Sequence, residues 1–249
     1  MLRNTLLLLV LIGLNYSCKA PNTDAEVIID QSIALSGGER FKTSTIVFNF
    51  RDKQYRAKHN NGNYVLERYF TTGHDSIVDR LTNDGFERFI NNQRVVLPDS
   101  IANLYSASVN SVHYFSVLPI GLNAEAVNKH YVSQVSIKGE SYHKIKVTFN
   151  EDGGGEDFDD VFLYWVHSET YKVDYLAYSY HEGNGLGMRF REAYNERYVN
   201  GIRFVDYNNY KPISISEEAA LLNLDVLFAE GELKLLSKIE LEDVRVSYE

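Results

Sequence analysis

The residues of this chain whose types could do chemistry fall in three places. The first is Cys18, the only cysteine in 249 residues. The second is "EDGGGEDFDD" at 151–160, where Asp152, Glu156, Asp157, Asp159 and Asp160 offer hard oxygen ligands and three glycines permit sharp turns. The third is a set of carboxylates, Asp174, Glu192 and Asp206, embedded in aromatic strand patterns. A thiol next to a signal invites acylation, an acidic loop invites calcium, and acids among aromatics invite either a polar spot in a ligand cavity or acid–base catalysis.

Cys18 has the clearest context. "MLRNTLLLLVLI" carries Arg3 and then an apolar run from Leu6 to Ile12, too short to span a bilayer. Ser17 precedes the cysteine, as a lipoprotein signal peptidase requires, although Asn15 stands where a branched apolar residue is usual. Residues 1–17 therefore read as a lipoprotein signal peptide, 18–24 as a tether and 25–249 as one domain. A lone cysteine serves no disulfide framework, and a free thiol is a liability in an oxidising compartment. At about 0.8 kcal/mol per buried methylene, two or three acyl chains make a permanent anchor. The alternative is an ordinary cleaved signal that leaves a free thiol.

The acidic loop departs from the EF-hand order, so a solvated hairpin loop is the preferred reading and no metal is expected. No HExxH, CxxC or GxSxG occurs, and "GNGLG" at 183–187 reads as a turn. Nothing calls for a cofactor. A net charge of −9 excludes a nucleic-acid partner, because phosphate binding needs clustered Lys and Arg.

The elements that would position these groups are mostly strands. An amphipathic helix over 25–36 stops at Gly37-Gly38. A meander then runs through "STIVFNF", "QYRAKH", "YVLERYFTT", "SIVDRLT" and "FERFI", joined by turn residues. From 99 to 118 the period becomes helical, behind an Asp99 cap. Strands resume to the C-terminus, interrupted by a partly helical "SEEAALLNLDVLFAEGEL" capped by Ser216. The class is α+β, mostly β: a curved antiparallel half-barrel of roughly eleven or twelve strands whose concave face is covered by one or two helices.

Registers assign the cavity face. A turn at "SETY" puts Trp165 opposite Asp174 and Val161 opposite Tyr178, so Leu163, Trp165, Asp174 and Tyr178 share a side. For the next hairpin, a three-residue loop with Gly201 at a bulge aligns Phe190, Tyr194 and Tyr198 with Ile202, Phe204 and Tyr210. That register places Glu192, Glu196 and Asp206 among aromatics and Arg189, Arg191, Arg197 and Arg203 on the other face. The expected cavity lining is Leu163, Trp165, Asp174, Tyr178, Phe190, Glu192, Tyr194, Phe204 and Asp206. Tyrosine hydroxyls and a neighbouring arginine could equally satisfy the acids structurally.

The "SC" signal, "FNFRDKQYRAKHNNGNYVLERY", "GGGEDFDDVFLYW" and "MRFREAYNERYVNGIRFVDYNNYKP" together resemble a family of uncharacterised Gram-negative envelope lipoproteins, similar in outline to the LolA/LolB-like carrier superfamily. The resemblance implies a half-barrel closed by helices around a cavity for acyl chains. The expected function is then a non-catalytic, membrane-anchored lipoprotein of the cell envelope, on the outer membrane in preference to the inner. It would bind an apolar or amphipathic lipid-like molecule. The alternatives are a glycan-directed hydrolase using two of the three interior acids, and an interaction lipoprotein whose arginine face and acidic loop meet an unidentified protein partner.

Overall fold

The computed structural model describes residues 23–153, 158–182, 185–214 and 218–248. Cys18, Glu156, Asp157 and Ser216 lie outside them. Fourteen antiparallel strands form two seven-stranded sheets among the described residues. The first holds β1 (Ser44–Phe50), β2 (Lys53–Asn60), β3 (Asn63–Thr72), β4 (Asp75–Thr82), β5 (Gly85–Ile90) and β6 (Gln93–Val95), with β14 (Glu242–Tyr248) on its β1 edge. The second runs in sequence order through β7 (Val127–Ile137), β8 (Glu140–Phe149), β9 (Val161–His167), β10 (Val173–Glu182), β11 (Gly185–Val199), β12 (Ile202–Pro212) and β13 (Leu233–Ile239). Two strands exceed the expected count: the three-residue β6, and a division of "KIELEDVRVSY" into β13 and β14.

Turn chemistry sets the meander. Asn61-Gly62, Asn91-Asn92, Lys138-Gly139 and Asn200-Gly201 all have positive φ at both positions, the conformation of two-residue primed turns whose twist matches that of the strands they join. Helix α1 (Ala25–Leu35) starts where the Asp24 carboxylate accepts from the Glu26 and Val27 amides at 3.0 and 3.4 Å. It ends before Gly37, whose φ of 93° and close approach to Gly201 leave no room for a side chain. A single turn, α2 (Gly38–Phe41), follows.

The central helix α3 (Asp99–Ser116) begins at its expected cap residue, with Pro98 at the N-cap and Asp99 inside the first turn. Val109 and His113, at i and i+4, face the first sheet, where Val109 packs with Ile46 and Phe48 and His113 lies against Phe48 and Tyr55. Two strands of that sheet, β3 and β5, hold it through polar groups. Arg68 Nη1 donates to Ser108 Oγ at 2.7 Å, the Arg88 guanidinium lies 3.6 Å from the Tyr105 ring centroid, and His113 Nε2 meets the Glu67 carbonyl at 3.2 Å. Beneath α3, fully buried Asp79 accepts from both Arg68 and Arg88.

The second sheet is apolar on both faces. On its inner face Ile145, Tyr164, Leu176, Val205 and Tyr207 pack with Ile28 and Ile29 of α1. On its outer face Leu163, Trp165, Tyr175 and Phe190 pack under a 3-10 turn at 218–223 and helix α4 (Leu224–Glu230). The chain crosses between sheets at 240–241, where the Leu241 amide donates to Asp206 Oδ1 at 3.0 Å and its carbonyl accepts from Arg197 Nη2 at 2.7 Å.

Candidate functional site

Between the C-terminal half of α3 and the inner face of the second sheet lies a cavity of about 550 Å³. Helix α3 contributes Ala107, Asn110, Ser111, Val112, Tyr114 and Phe115. The sheet contributes Phe162 of β9, Tyr178 and Tyr180 of β10, Arg189 and Arg191 of β11 and Val205 and Tyr207 of β12. Asp159 and Asp160 also line it. This space arises because α3 lies along β3, β4 and β5 of the first sheet and reaches the second through Tyr114 and Phe115, leaving a gap beside those two side chains.

The aromatic wall is continuous. Phe162 stacks on Tyr178 at 5.3 Å between centroids, and Phe115 reaches Tyr178 at 5.3 Å and Phe162 at 6.1 Å. Tyr114 and Tyr164 meet hydroxyl to hydroxyl at 3.4 Å, and burial pushes the Tyr114 phenol up to about 12. These hydroxyls stay neutral near pH 7, so they offer hydrogen bonds and no charge.

Charge enters from β11. Arg191 is buried, with 7% of its surface exposed. Its Cζ lies 4.0 Å from the Phe115 centroid and 5.1 Å from that of Tyr178. Nη2 donates to the Tyr178 hydroxyl at 2.8 Å, and Nε is buried without an acceptor. Arg189, two residues earlier on the same side, lies 5.1 Å from the Tyr180 ring and donates to the Met188 carbonyl at 2.8 Å.

Of the nine residues expected to line the cavity, Tyr178 alone does so. Leu163, Trp165 and Phe190 face outward beneath α4. The reason is a bulge at Asp174. His167 faces Lys172 as expected, but the inserted residue makes Trp165 pair with Tyr175 and Val161 with Ser179. That slip moves Trp165 to the side opposite Tyr178. It also removes the Asp174 carboxylate from the Trp165 stripe and sets it 3.4 Å from both Arg203 Nη2 and the Tyr142 hydroxyl. Burial pushes the Asp174 carboxyl up, against the pull of Arg203.

The second hairpin also takes the other register. Val199 pairs with Ile202 and Arg197 with Phe204 around a two-residue Asn200-Gly201 turn. The mixing of arginines and aromatics that this register implies is relieved by a bulge between Tyr194 and Arg197, with Asn195 at φ 51°. Phe204 consequently packs with Ile46 and Phe48 of the first sheet, and Tyr194 donates to Glu240 at 2.7 Å. Glu192 is held on the outer side by Lys138 and by the Tyr210 hydroxyl at 3.2 Å. Asp206 accepts from Arg197 at 3.0 Å and Asn195 at 2.6 Å. Each of the three acids is bonded within the frame and none lines the cavity.

Sequence reasoning set Arg189 and Arg191 on the face opposite the expected cavity and assigned no aromatic of α3 to its lining. Phe190 facing outward would have been enough to find the arginines, since neighbours in a strand point to opposite faces. In the acidic loop, Asp152 is exposed. Among the described residues no three His, Cys, Asp or Glu side chains converge as metal ligands.

The architecture is that of LolA-like proteins. A LolA superfamily protein from Nitrosomonas europaea superimposes with a TM-score of 0.50 at 12% identity, over 89% of this chain and 92% of that one. A DUF1329 family protein from Desulfovibrio piger gives 0.50 at 10% identity, over 90% and 93%. At such identities the likeness establishes the fold alone. No curated protein matches the sequence. The family model that does match spans residues 4–241 and is described as a family of unknown function, so this chain belongs to DUF6503.

Proposed function

We propose that the protein is a lipid-anchored envelope lipoprotein that holds one amphipathic, lipid-like molecule between α3 and the second sheet and does no covalent chemistry on it. The observation that carries this reading is the open aromatic cavity of about 550 Å³. Pockets of roughly 300–1,000 Å³ with apolar walls and few polar groups suit small amphiphiles. At about 30 Å³ per water-sized group, such a space takes on the order of twenty heavy atoms, one acyl chain with its headgroup.

Anchoring through Cys18 supports the same reading. A tether of residues 18–24 would hold the domain near a membrane surface, where its ligand resides. No described helix is long and apolar enough to cross a membrane. The test is native mass spectrometry of the full-length protein extracted from membranes in an amphipathic polymer, with lipid analysis of the same sample. A stoichiometric co-purifying amphiphile is expected. Repeatedly empty protein would overturn the proposal. Cys18→Ser should in parallel move the protein to the soluble fraction.

A further inference from the structure

Arg191 is an expensive residue to place where it is. A guanidinium carries five N–H donors and stays cationic throughout the pH range in which proteins fold, and a buried charge is costly unless paired. Arg191 is 93% buried, by the 7% that remains exposed. Among the described residues it makes one hydrogen bond, to the Tyr178 hydroxyl, and Nε has no acceptor. Among the described residues no carboxylate oxygen lies within 4.0 Å of its nitrogens. The other buried arginines contrast with it: Arg68 and Arg88 share Asp79, and Arg203 pairs with Glu196 and Asp174.

The ring of Phe115 covers one face of the guanidinium. Such a contact offsets part of the desolvation while leaving the in-plane N–H donors free for partners, of which the Tyr178 hydroxyl takes one. Arg191 lines the cavity, with Arg189 on the same side of the strand. Asp159 and Asp160, which line the same space, each take part in an interaction of their own.

The geometry points to an acidic headgroup as the missing partner of Arg191: the cavity takes an anionic amphiphile, a single acyl chain ending in a carboxylate or phosphate monoester. The chain would lie along Phe115, Phe162 and Tyr178, and the two-pronged guanidinium would receive two oxygens of the anion. This deepens the proposed function and rests on its premise that the cavity holds a lipid-like ligand.

The test uses the full-length protein in amphipathic polymer and competition against an uncharged naphthylamine fluorophore. Palmitate, hexadecyl phosphate and hexadecanol share one chain and differ only in the headgroup. The wild type should bind at least one acid tenfold or more tightly than the alcohol; the stronger of the two acids separates a fatty-acid from a phospholipid-type headgroup. In Arg191→Gln this preference should fall below about twofold while fluorophore binding persists. Arg191→Lys, which keeps the charge and loses the fork, should be intermediate, and it serves as the readout if the Gln variant fails to fold.

Equal affinity of the wild type for acids and alcohol would overturn the inference and leave amphiphile binding standing. So would an undiminished preference in Arg191→Gln. Failure of the fluorophore and of all three chains to bind the wild type would remove both readings.

Discussion

Lys144 Nζ lies 2.9 and 3.1 Å from the two carboxylate oxygens of Asp225, joining β8 to α4 across the outer face of the second sheet. Both side chains are buried, and the same carboxylate accepts from Trp165 Nε1 at 3.3 Å. Lys144 also donates to the Leu222 carbonyl and stands 5.3 Å from the Trp165 ring. This polar knot fastens a helix that also packs through Leu224, Leu227 and Phe228, and it occupies the face on which sequence patterning sought a ligand. Removing one partner leaves a charge buried and uncompensated. Asp225→Ala should therefore cost about 3–5 kcal/mol, read as a lower urea midpoint. Trp165 is the only tryptophan, so its fluorescence reports that face directly. Replacing both partners, Lys144→Met with Asp225→Leu, should recover much of the loss.

Asp79 performs the comparable task beneath α3. Its two oxygens bind Arg68 at 2.6 Å and Arg88 at 2.5 Å, and those arginines in turn hold Ser108 and Tyr105 of the helix. Asp79→Ala should destabilise the protein by about 3–5 kcal/mol. It should also raise amide exchange in residues 99–116 more than in the outer-face strands. Uniform acceleration across the chain would argue against a local role in seating the helix.

His113 makes the helix contact sensitive to acid. It lies against Phe48 and Tyr55, with ring centroids at 5.8 and 5.5 Å. Burial pushes its pKa down to about 4, with smaller opposing and reinforcing effects from the Glu67 carbonyl, His59 and Arg68. The folded state thus takes up its proton only near pH 4, whereas the unfolded chain does so near 6.5. Between those values the unfolded state binds more protons. The contribution is full above about pH 6.5 and is lost as pH falls to about 4, about 3 kcal/mol in all. His113→Gln does not titrate and should flatten the decline in stability between pH 7 and 4.5 relative to the wild type. His59, also held near 4 by burial, remains in both proteins and cancels. Identical pH profiles for the two would show that His113 does not supply the slope.

Local chemistry explains which features were legible in the sequence. Asn61-Gly62 reads as a primed turn from its residue types alone, whereas the same chemistry at Asn200-Gly201 is outweighed in the sequence by the face pattern that a three-residue loop offers. Gly37 ends a helix by its conformational freedom, and the recurrence of Ile101, Leu104, Tyr105, Val112 and Phe115 marks α3 by spacing. The bulges at Asp174 and between Tyr194 and Arg197 were not legible, because an extra residue enters a strand only when the assembled sheet makes the regular register more costly. Each bulge inverts the facing of everything beyond it, which is why Trp165 and Phe190 were assigned inward and Arg191 outward. A warning was present in "VFLYWVH". A strand apolar at every position is buried on both faces, and Tyr164 and Trp165 are in fact both inaccessible.

Filling the cavity from the helix side separates occupancy from stability. Ala107 lines the cavity on α3, outside the Val109 and His113 face that seats the helix, so a larger side chain there can grow into the open space without disturbing the first sheet. Ala107→Trp should reduce co-purifying amphiphile and fluorophore binding by tenfold or more. Its urea midpoint should stay close to that of the wild type, since Ala and Trp differ by less than about 1 kcal/mol in helix propensity and the added ring gains apolar contacts. Lipid analysis by mass spectrometry and a paired denaturation curve make the measurement. Full occupancy in a folded Ala107→Trp protein would place the ligand elsewhere and remove the cavity between α3 and the second sheet from the mechanism.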